Sequence, residues 1–574
     1  MKRIFEYLKP SFGRMCLGLG IKFTGTIMDL FLPWILAYLI DDVVPQKDVP
    51  KIAFWGVIMV LCSLCGFLGN VIANRMASKV ARDTSERIRH DLFARICHLS
   101  SRQIDELTIP TLESRLTSDT YNVHHMLGMM QRLGVRAPIL LIGGIIVTAM
   151  LEPVLTLLLV ATLPLIGITV WQVSRKGIPL YTKLQGAVDS MVRVVRENAQ
   201  GIRIIKALSK TDYEKRRFDG VNREVVASEK KAGYTMAISN PLMNLFLNCG
   251  LTAVVLIGAL RVNAGISEPG KIIAFLSYFT VISNAMISIT RMFVMLSKGS
   301  ASANRISDVL DVPYDLETAD SRNAVQNREN MVEFNNVSFS YKGKKNNLEN
   351  ISFRIKRGGS LGIIGATGSG KSTLLQLMMR NYDCDSGEVL IEGKNVRTMD
   401  PDILHSKFGV VFQNDFLFAD TIEENIKFAR DLPHEAIVKA AQIAQAEPFI
   451  EALDDKYEHM LTSHGTNLSG GQRQRLLIAR ALAADPEILI FDDSSSALDY
   501  KTDAALRMAI KENFRGRLTT VTVAQRISSV MNSYCIIVLD GGRIIGMGTH
   551  EELLDSCDVY REINQSQMGG AVID

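Results

Sequence analysis

Six apolar stretches occupy the first 300 residues, at 15–40, 52–73, 137–150, 153–173, 236–260 and 272–295. Most are long enough to cross a hydrocarbon core of about 30 Å as helices of ~20 residues. Only Leu151 and Glu152 separate the third and fourth, which predicts a hairpin with a very short outer turn. An earlier start for the third, near Met129, places Arg132 and Arg136 close to the interface.

The connections between the stretches are unequal. Those after the first, third and fifth are short, whereas those after the second and fourth hold about 60 residues each. The long ones are rich in Arg and Lys, among them Arg75, Lys79, Arg82, Arg87, Arg175, Lys176, Lys206 and Lys210. The positive-inside tendency therefore puts them in the cytoplasm, together with the basic N-terminus and the C-terminal half. Trp34, Trp55 and Trp171 fall near span ends, as an aromatic belt requires. Within the long connections, segments such as SERIRHDLFARICHL and VDSMVRVVRENAQGIRIIKAL repeat apolar residues at helical spacing. The spans are thus expected to continue as helices into the cytoplasm. The N-terminal segment lacks an apolar run with a cleavage site, so a removable signal peptide is not expected.

Charged residues inside a span need a reason. Lys22 and Arg291 lie near the inner boundary by helical rise and are expected to snorkel. Asp29 sits about 18 Å from the outer end by the same rise. It is a candidate lining residue of a polar pathway, with a structural bond to a neighbouring helix as the competing reading.

Composition agrees with a membrane part joined to a soluble part. Hydrophobic residues make up 47% of the 574, mean hydropathy is +0.13, and 22% of residues are charged. A net charge of +4 is too small to support nucleic-acid binding. The eight cysteines are scattered; Cys62 and Cys65 form a CxxC inside an apolar stretch without a second ligand pair, which favours packed thiols over a metal site.

The expected boundaries are a membrane domain at 1–312, a polar linker at 313–330 and a soluble domain at 331–574. The soluble part opens with strand-like MVEFNNVSFSY and NLENISFRI, followed by LGIIGATGSGKSTLLQLMMR. The run Leu361–Ile364 predicts a buried strand, and Ser372 onward an amphipathic helix. Between them Gly365, Ala366, Thr367, Gly368, Ser369, Gly370, Lys371 and Ser372, followed by Thr373, satisfy GxxxxGK[ST] in the strand–loop–helix context this motif needs. Glycines let backbone N–H groups wrap phosphates, and the helix N-terminus adds a positive dipole end. Lys371 suits the β- and γ-phosphates, and Ser372 suits magnesium. A second apolar strand, Ile488–Phe491, ends in Asp492, a second magnesium partner. The expected cofactors are ATP and Mg2+.

About twenty residues before that strand stands Leu468-Ser469-Gly470-Gly471-Gln472. With the phosphate loop, this pentapeptide makes the second half resemble the ATP-binding cassette (ABC) domain. The six spans with cytoplasmic helices resemble the membrane domain of ABC exporters, and the likeness covers nearly the whole chain. It implies an all-α six-helix transmembrane domain with long cytoplasmic helical extensions, followed by an α/β P-loop cassette. It also implies that Tyr341 stacks on adenine and that Gln413 touches magnesium and senses the membrane domain. Ser469, Gly470, Gly471 and Gln472 then close over ATP held by a second half-transporter subunit, and Ser496-Ala-Leu-Asp499 crosses the dimer interface. The cytoplasmic helical ends near 109–112 and 203–213 are expected to carry cassette closure to the spans.

Three positions depart from the family pattern. The residue after the magnesium aspartate is usually Glu and here is Asp493, one methylene shorter. The switch histidine is replaced by Gln525, which can hydrogen-bond but carries no proton or charge at neutral pH. The acidic residue often found before the signature is Ser463. Intact ATP-binding groups with altered catalytic ones imply the degenerate half of a heterodimer, whose LSGGQ completes the partner's hydrolytic site. A homodimeric exporter in which Asp493 suffices, and a membrane ATP sensor that does not transport, are the alternatives. Apolar, Met-rich spans fit hydrophobic or amphipathic cargo, whether drug, lipid or peptide. The expected location is the plasma membrane, multi-pass, with both termini cytoplasmic.

Overall fold

A computed structural model describes residues 2–316, 329–341, 343, 346–493, 498–514 and 516–568. Most of the expected linker, and Ser496 and Ala497 of the expected interface loop, lie outside the described residues. The chain forms two compact units, Met1–Cys97 with Pro110–Val312, and His98–Ile109 with Pro313–Asp574.

The first unit is helical because apolar segments in lipid must satisfy their own backbone groups. Its principal helices are Phe12–Tyr38, Val49–Cys97, Thr120–Leu151, Pro153–Gln200, Thr211–Ala237, Ser239–Asn263 and Pro269–Leu310. Helices of 49, 48 and 42 residues far exceed what a bilayer needs, so spans and extensions are continuous. The hairpin between the third and fourth expected spans forms as predicted. Glu152 is extended (φ −151°, ψ 94°), and Pro153 opens the next helix from a position where a missing N–H costs nothing. Buried Leu155, Leu159, Phe275, Tyr278, Phe279 and Ile282 make the centre of the packing. The Tyr278 hydroxyl donates to the Leu30 carbonyl, so a buried phenol is satisfied by backbone.

Among the described residues five of the six expected spans lie in helices long and apolar enough to cross a membrane; the helix Phe12–Tyr38, which carries Lys22 and Asp29, is outside that set. One expectation needs revision. Lys22 does not snorkel. It is buried, and its Nζ donates to Asn74 Oδ1 at 3.0 Å, so it bonds a neighbouring helix instead of reaching the interface.

The second unit is α/β. An antiparallel sheet runs β2 (Leu348–Lys356), β1 (Asn330–Phe339), β4 (Ser386–Ile391), β5 (Lys394–Asn395). The other sheet runs β10 (Arg543–Gly548), β9 (Cys535–Asp540), β3 (Ser360–Gly365), β8 (Thr519–Val523), β7 (Ile488–Asp492), β6 (Phe408–Val411). In it β9, β3, β8, β7 and β6 are parallel, and β10 pairs antiparallel with β9. Val, Ile and Leu dominate these parallel strands because both of their faces are covered. The short helix Ser101–Leu107 belongs to this unit: Ser100 Oγ donates to Asp315, Gln103 Nε2 to the Pro313 carbonyl, and the Tyr382 hydroxyl to Asp105 at 2.6 Å.

Candidate nucleotide-binding site

Parallel strands bring all their carboxyl ends to one edge, which is where ligands bind in such sheets. β3 ends in the phosphate loop, β7 in Asp492, β8 just before Gln525, and β6 just before Gln413. The sheet order places β8 between β3 and β7. Residues far apart in sequence thus meet at one rim.

The loop after β3 needs its glycines. Gly368 and Gly370 have φ of +83° and +103°, in the left-handed region. A Cβ on Gly370 would also come within 2.7 Å of Leu348 and 2.9 Å of the Asn347 carbonyl. Lys371, the first residue of the helix Lys371–Met378, donates from Nζ to the carbonyls of Gly365 and Ala366, each at 2.8 Å. Burial holds its ammonium below the ordinary range, while the Asp493 and Asp492 charges pull it back up. Ser369 is buried and its Oγ has no hydrogen-bond partner among the described residues.

Ser372 Oγ lies 3.4 Å from Asp492 Oδ1, so the hydroxyl and the carboxylate expected at magnesium are side by side. Burial pushes Asp492 above the usual carboxylate range; the Ser372 hydroxyl and Lys371 oppose that, and Asp493 adds to it. An ammonium, a hydroxyl beside a buried carboxylate, an orphaned Ser369 hydroxyl and a helix N-terminus form a donor set that fits a polyphosphate with a divalent cation. Gln413 is exposed beyond β6 and makes no hydrogen bond to Ser372 or Asp492 among the described residues. Tyr341 lies beside the same helix: its hydroxyl donates to Thr373 Oγ1 at 3.3 Å, and its ring meets Phe339 and Tyr382 edge-on.

Asp493 and Gln525 touch. Gln525 Nε2 donates to Asp493 Oδ2 at 2.7 Å, and the Asp493 N–H donates to the Val523 carbonyl at 2.9 Å. Asp493 takes φ +50°, a conformation Asp tolerates better than most residues. Sequence reasoning missed Gln567, whose amide accepts from the Ile527 N–H and donates to the Gln525 carbonyl, both at 2.8 Å. No motif marks it; only the return of the helix Asp558–Met568 reveals the bridge.

The signature residues make no hydrogen bond to this loop among the described residues. Ser469 caps the helix Gly470–Ala483 in a reciprocal box with Gln472. Ser469 and Gly470 are exposed, and a Cβ on Gly470 would meet nothing within 4 Å. Asp499 also caps a helix, accepting from the Thr502 N–H at 2.9 Å and its hydroxyl at 2.7 Å.

The family model for the ABC transporter transmembrane region matches residues 15–286, and that for the ABC transporter domain matches 348–496. The chain belongs to the ABC transporter family. An uncharacterized ABC transporter ATP-binding protein of Mycobacterium tuberculosis is 32% identical to this ABC transporter over 578 residues, 99% of this chain and 98% of that protein. YfiB of Bacillus subtilis, also an uncharacterized ABC transporter ATP-binding protein, is 32% identical over 572 residues, 99% of each. The structure of a bacterial Atm1-family ABC exporter with ATP bound matches with a TM-score of 0.82 over 98% of both chains at 24% identity, which shows the same fold. The transporter thus joins a helical membrane domain to an ABC ATPase domain of the kind that binds ATP, generally with Mg2+.

Proposed function

We propose that this chain is the ATP-holding half of a heterodimeric exporter. The observation that carries the reading is the 2.7 Å bond from Gln525 to Asp493. A base that polarises water needs its carboxylate free and long enough to reach it. Here the shorter side chain is engaged by an amide with no proton to exchange at neutral pH.

Each residue then has a role. The phosphate loop and Lys371 bind and orient the β- and γ-phosphates, and Tyr341 offers a ring to adenine. Ser372, Asp492 and Gln413 would hold Mg2+, which when bound neutralises phosphate charge. Ser469 and Gly470 are exposed beside half-buried Gly471 and Gln472, and no described atom requires Gly470 to lack a side chain. A partner approaching closely would. Asp499 helps form that interface from the start of the helix Tyr500–Phe514. The helix Phe12–Tyr38 serves as the sixth span, the termini are cytoplasmic, and the membrane is the plasma membrane. Cassette closure drives alternating access for hydrophobic or amphipathic cargo.

The test is Mg2+-dependent ATPase activity of the purified chain alone, measured with its ATP affinity and oligomeric state. ATP binding with negligible turnover supports the reading. Turnover of about 1–10 per second would make the homodimer correct.

A further inference from the structure

Charged residues within the apolar stretches, taking the third from Met129, are Lys22, Asp29, Arg132, Arg136 and Arg291: four basic and one acidic. The structure gathers the first four. Arg136 Nη2 donates to Asp29 Oδ2 at 3.2 Å, Asn70 Nδ2 reaches the same oxygen at 3.3 Å, and Lys22 donates to Asn74. Arg132 and Arg136 both act electrostatically on Lys22.

Close helix packing builds the cluster. A Cβ on Gly25 would lie 3.3 Å from the Gly66 carbonyl, and one on Gly66 would lie 2.8 Å from Asp29 Oδ1. Small residues at this crossing let Phe12–Tyr38 approach Val49–Cys97 and set Asp29 against Asn70.

The cluster is incomplete in two respects. Among the described residues the cluster holds Lys22, Arg132 and Arg136 with one carboxylate, Asp29, an excess of two positive charges. Arg136 Nε and Asn70 Oδ1 are also buried without hydrogen-bond partners among the described residues. Membrane charges pair or face water, and an orphaned donor costs its full desolvation. Nε is enclosed, yet the Arg136 side chain as a whole is 41% exposed, so a ligand can reach the residue.

We propose that Lys22, Arg132 and Arg136 form the head-group site for an anionic amphiphile that this transporter carries, such as a fatty phosphate, carboxylate or sulfonate. A single anion on the exposed part of the Arg136 guanidinium offsets the excess charge. Asp29 holds Arg136 in place and keeps the site from binding too tightly to release. The apolar helices around the cluster select a ligand with a tail. The inference rests on the exporter reading but not on whether the chain hydrolyses ATP.

The test uses the full chain in phosphatidylcholine nanodiscs, with a fluorescent dodecyl phosphate and a trimethylammonium probe of the same tag and chain. The phosphate probe is expected to bind at least about tenfold more tightly. Arg136→Gln and Lys22→Gln should each weaken it about tenfold with ATP affinity unchanged, and Asp29→Asn should tighten it. Equal binding of the two probes, or affinity unmoved by both basic substitutions, would overturn the proposal. If Arg136→Gln also loses ATP binding, its fold is damaged and Lys22→Gln decides. Inorganic phosphate competing as well as dodecyl phosphate would show a free-anion site and reject the amphiphile. Turnover by the chain alone would remove the ATP-holding assignment and leave these binding outcomes intact.

Discussion

Gln525 Nε2 donates to Asp493 Oδ2 at 2.7 Å, although 32 positions separate the two residues in the chain. Strand pairing causes the contact, since Asp492 on β7 lies opposite Val523 on β8 and each strand then releases one of the pair. The bond ties together two of the three positions that the sequence marks as departures from the family pattern.

Lengthening the acid should restore reach. Asp493→Glu with Gln525→His is expected to raise the chain's own turnover by about 100-fold, the scale of a ~1 Å correction in placement. Steady-state phosphate release from purified wild type and double variant checks this. No gain would mean that hydrolysis fails for another reason.

Asp492 sets stability against binding. Its folded pKa is raised by burial, so between the unfolded and folded values the folded chain binds the proton more tightly. Stability therefore falls as pH rises through that window and stays lower above it. Asp492→Asn removes the buried charge and should raise Tm at pH 7; about 1 kcal/mol corresponds to ~2–4 °C in a domain of this size. Mg2+-dependent ATP affinity should fall in the same variant. Calorimetry beside nucleotide titration separates the two effects.

The phosphate loop cannot accept a side chain at Gly370. Gly370→Ala meets both an unfavourable φ and contacts of 2.7 and 2.9 Å, for a cost of about 1–3 kcal/mol. Lower Tm and loss of ATP binding are expected together. Gly470→Ala, with open space around it, should leave Tm and the chain's own ATP binding unchanged while slowing hydrolysis in the assembled dimer.

Ser469→Ala removes a helix cap worth about 1 kcal/mol. ATP affinity at this chain's own loop should be unaffected, because the capped helix makes no hydrogen bond to that loop among the described residues. Hydrolysis by the assembled dimer should drop. A fall in the chain's own ATP affinity would place the signature in the wrong site.

Membrane segments, the hairpin at Leu151–Glu152, the phosphate loop and the signature were legible in the sequence because each depends on local chemistry. Apolar length, a Pro after an extended residue, glycines at positive φ and a capping box all act within a few residues. Lys22 was misread for the complementary reason: helical rise gives its depth but not the neighbour, Asn74, that accepts its hydrogen bond. Side-by-side placement of Asp493 with Gln525, Gln567's bridge to the switch loop, and the meeting of Asp29 with Arg136 depend on strand order and helix crossing. Those are long-range arrangements, set by which buried surfaces fit together. The sequence by itself determined what chemistry this transporter carries, and only the tertiary structure decided which of those groups touch.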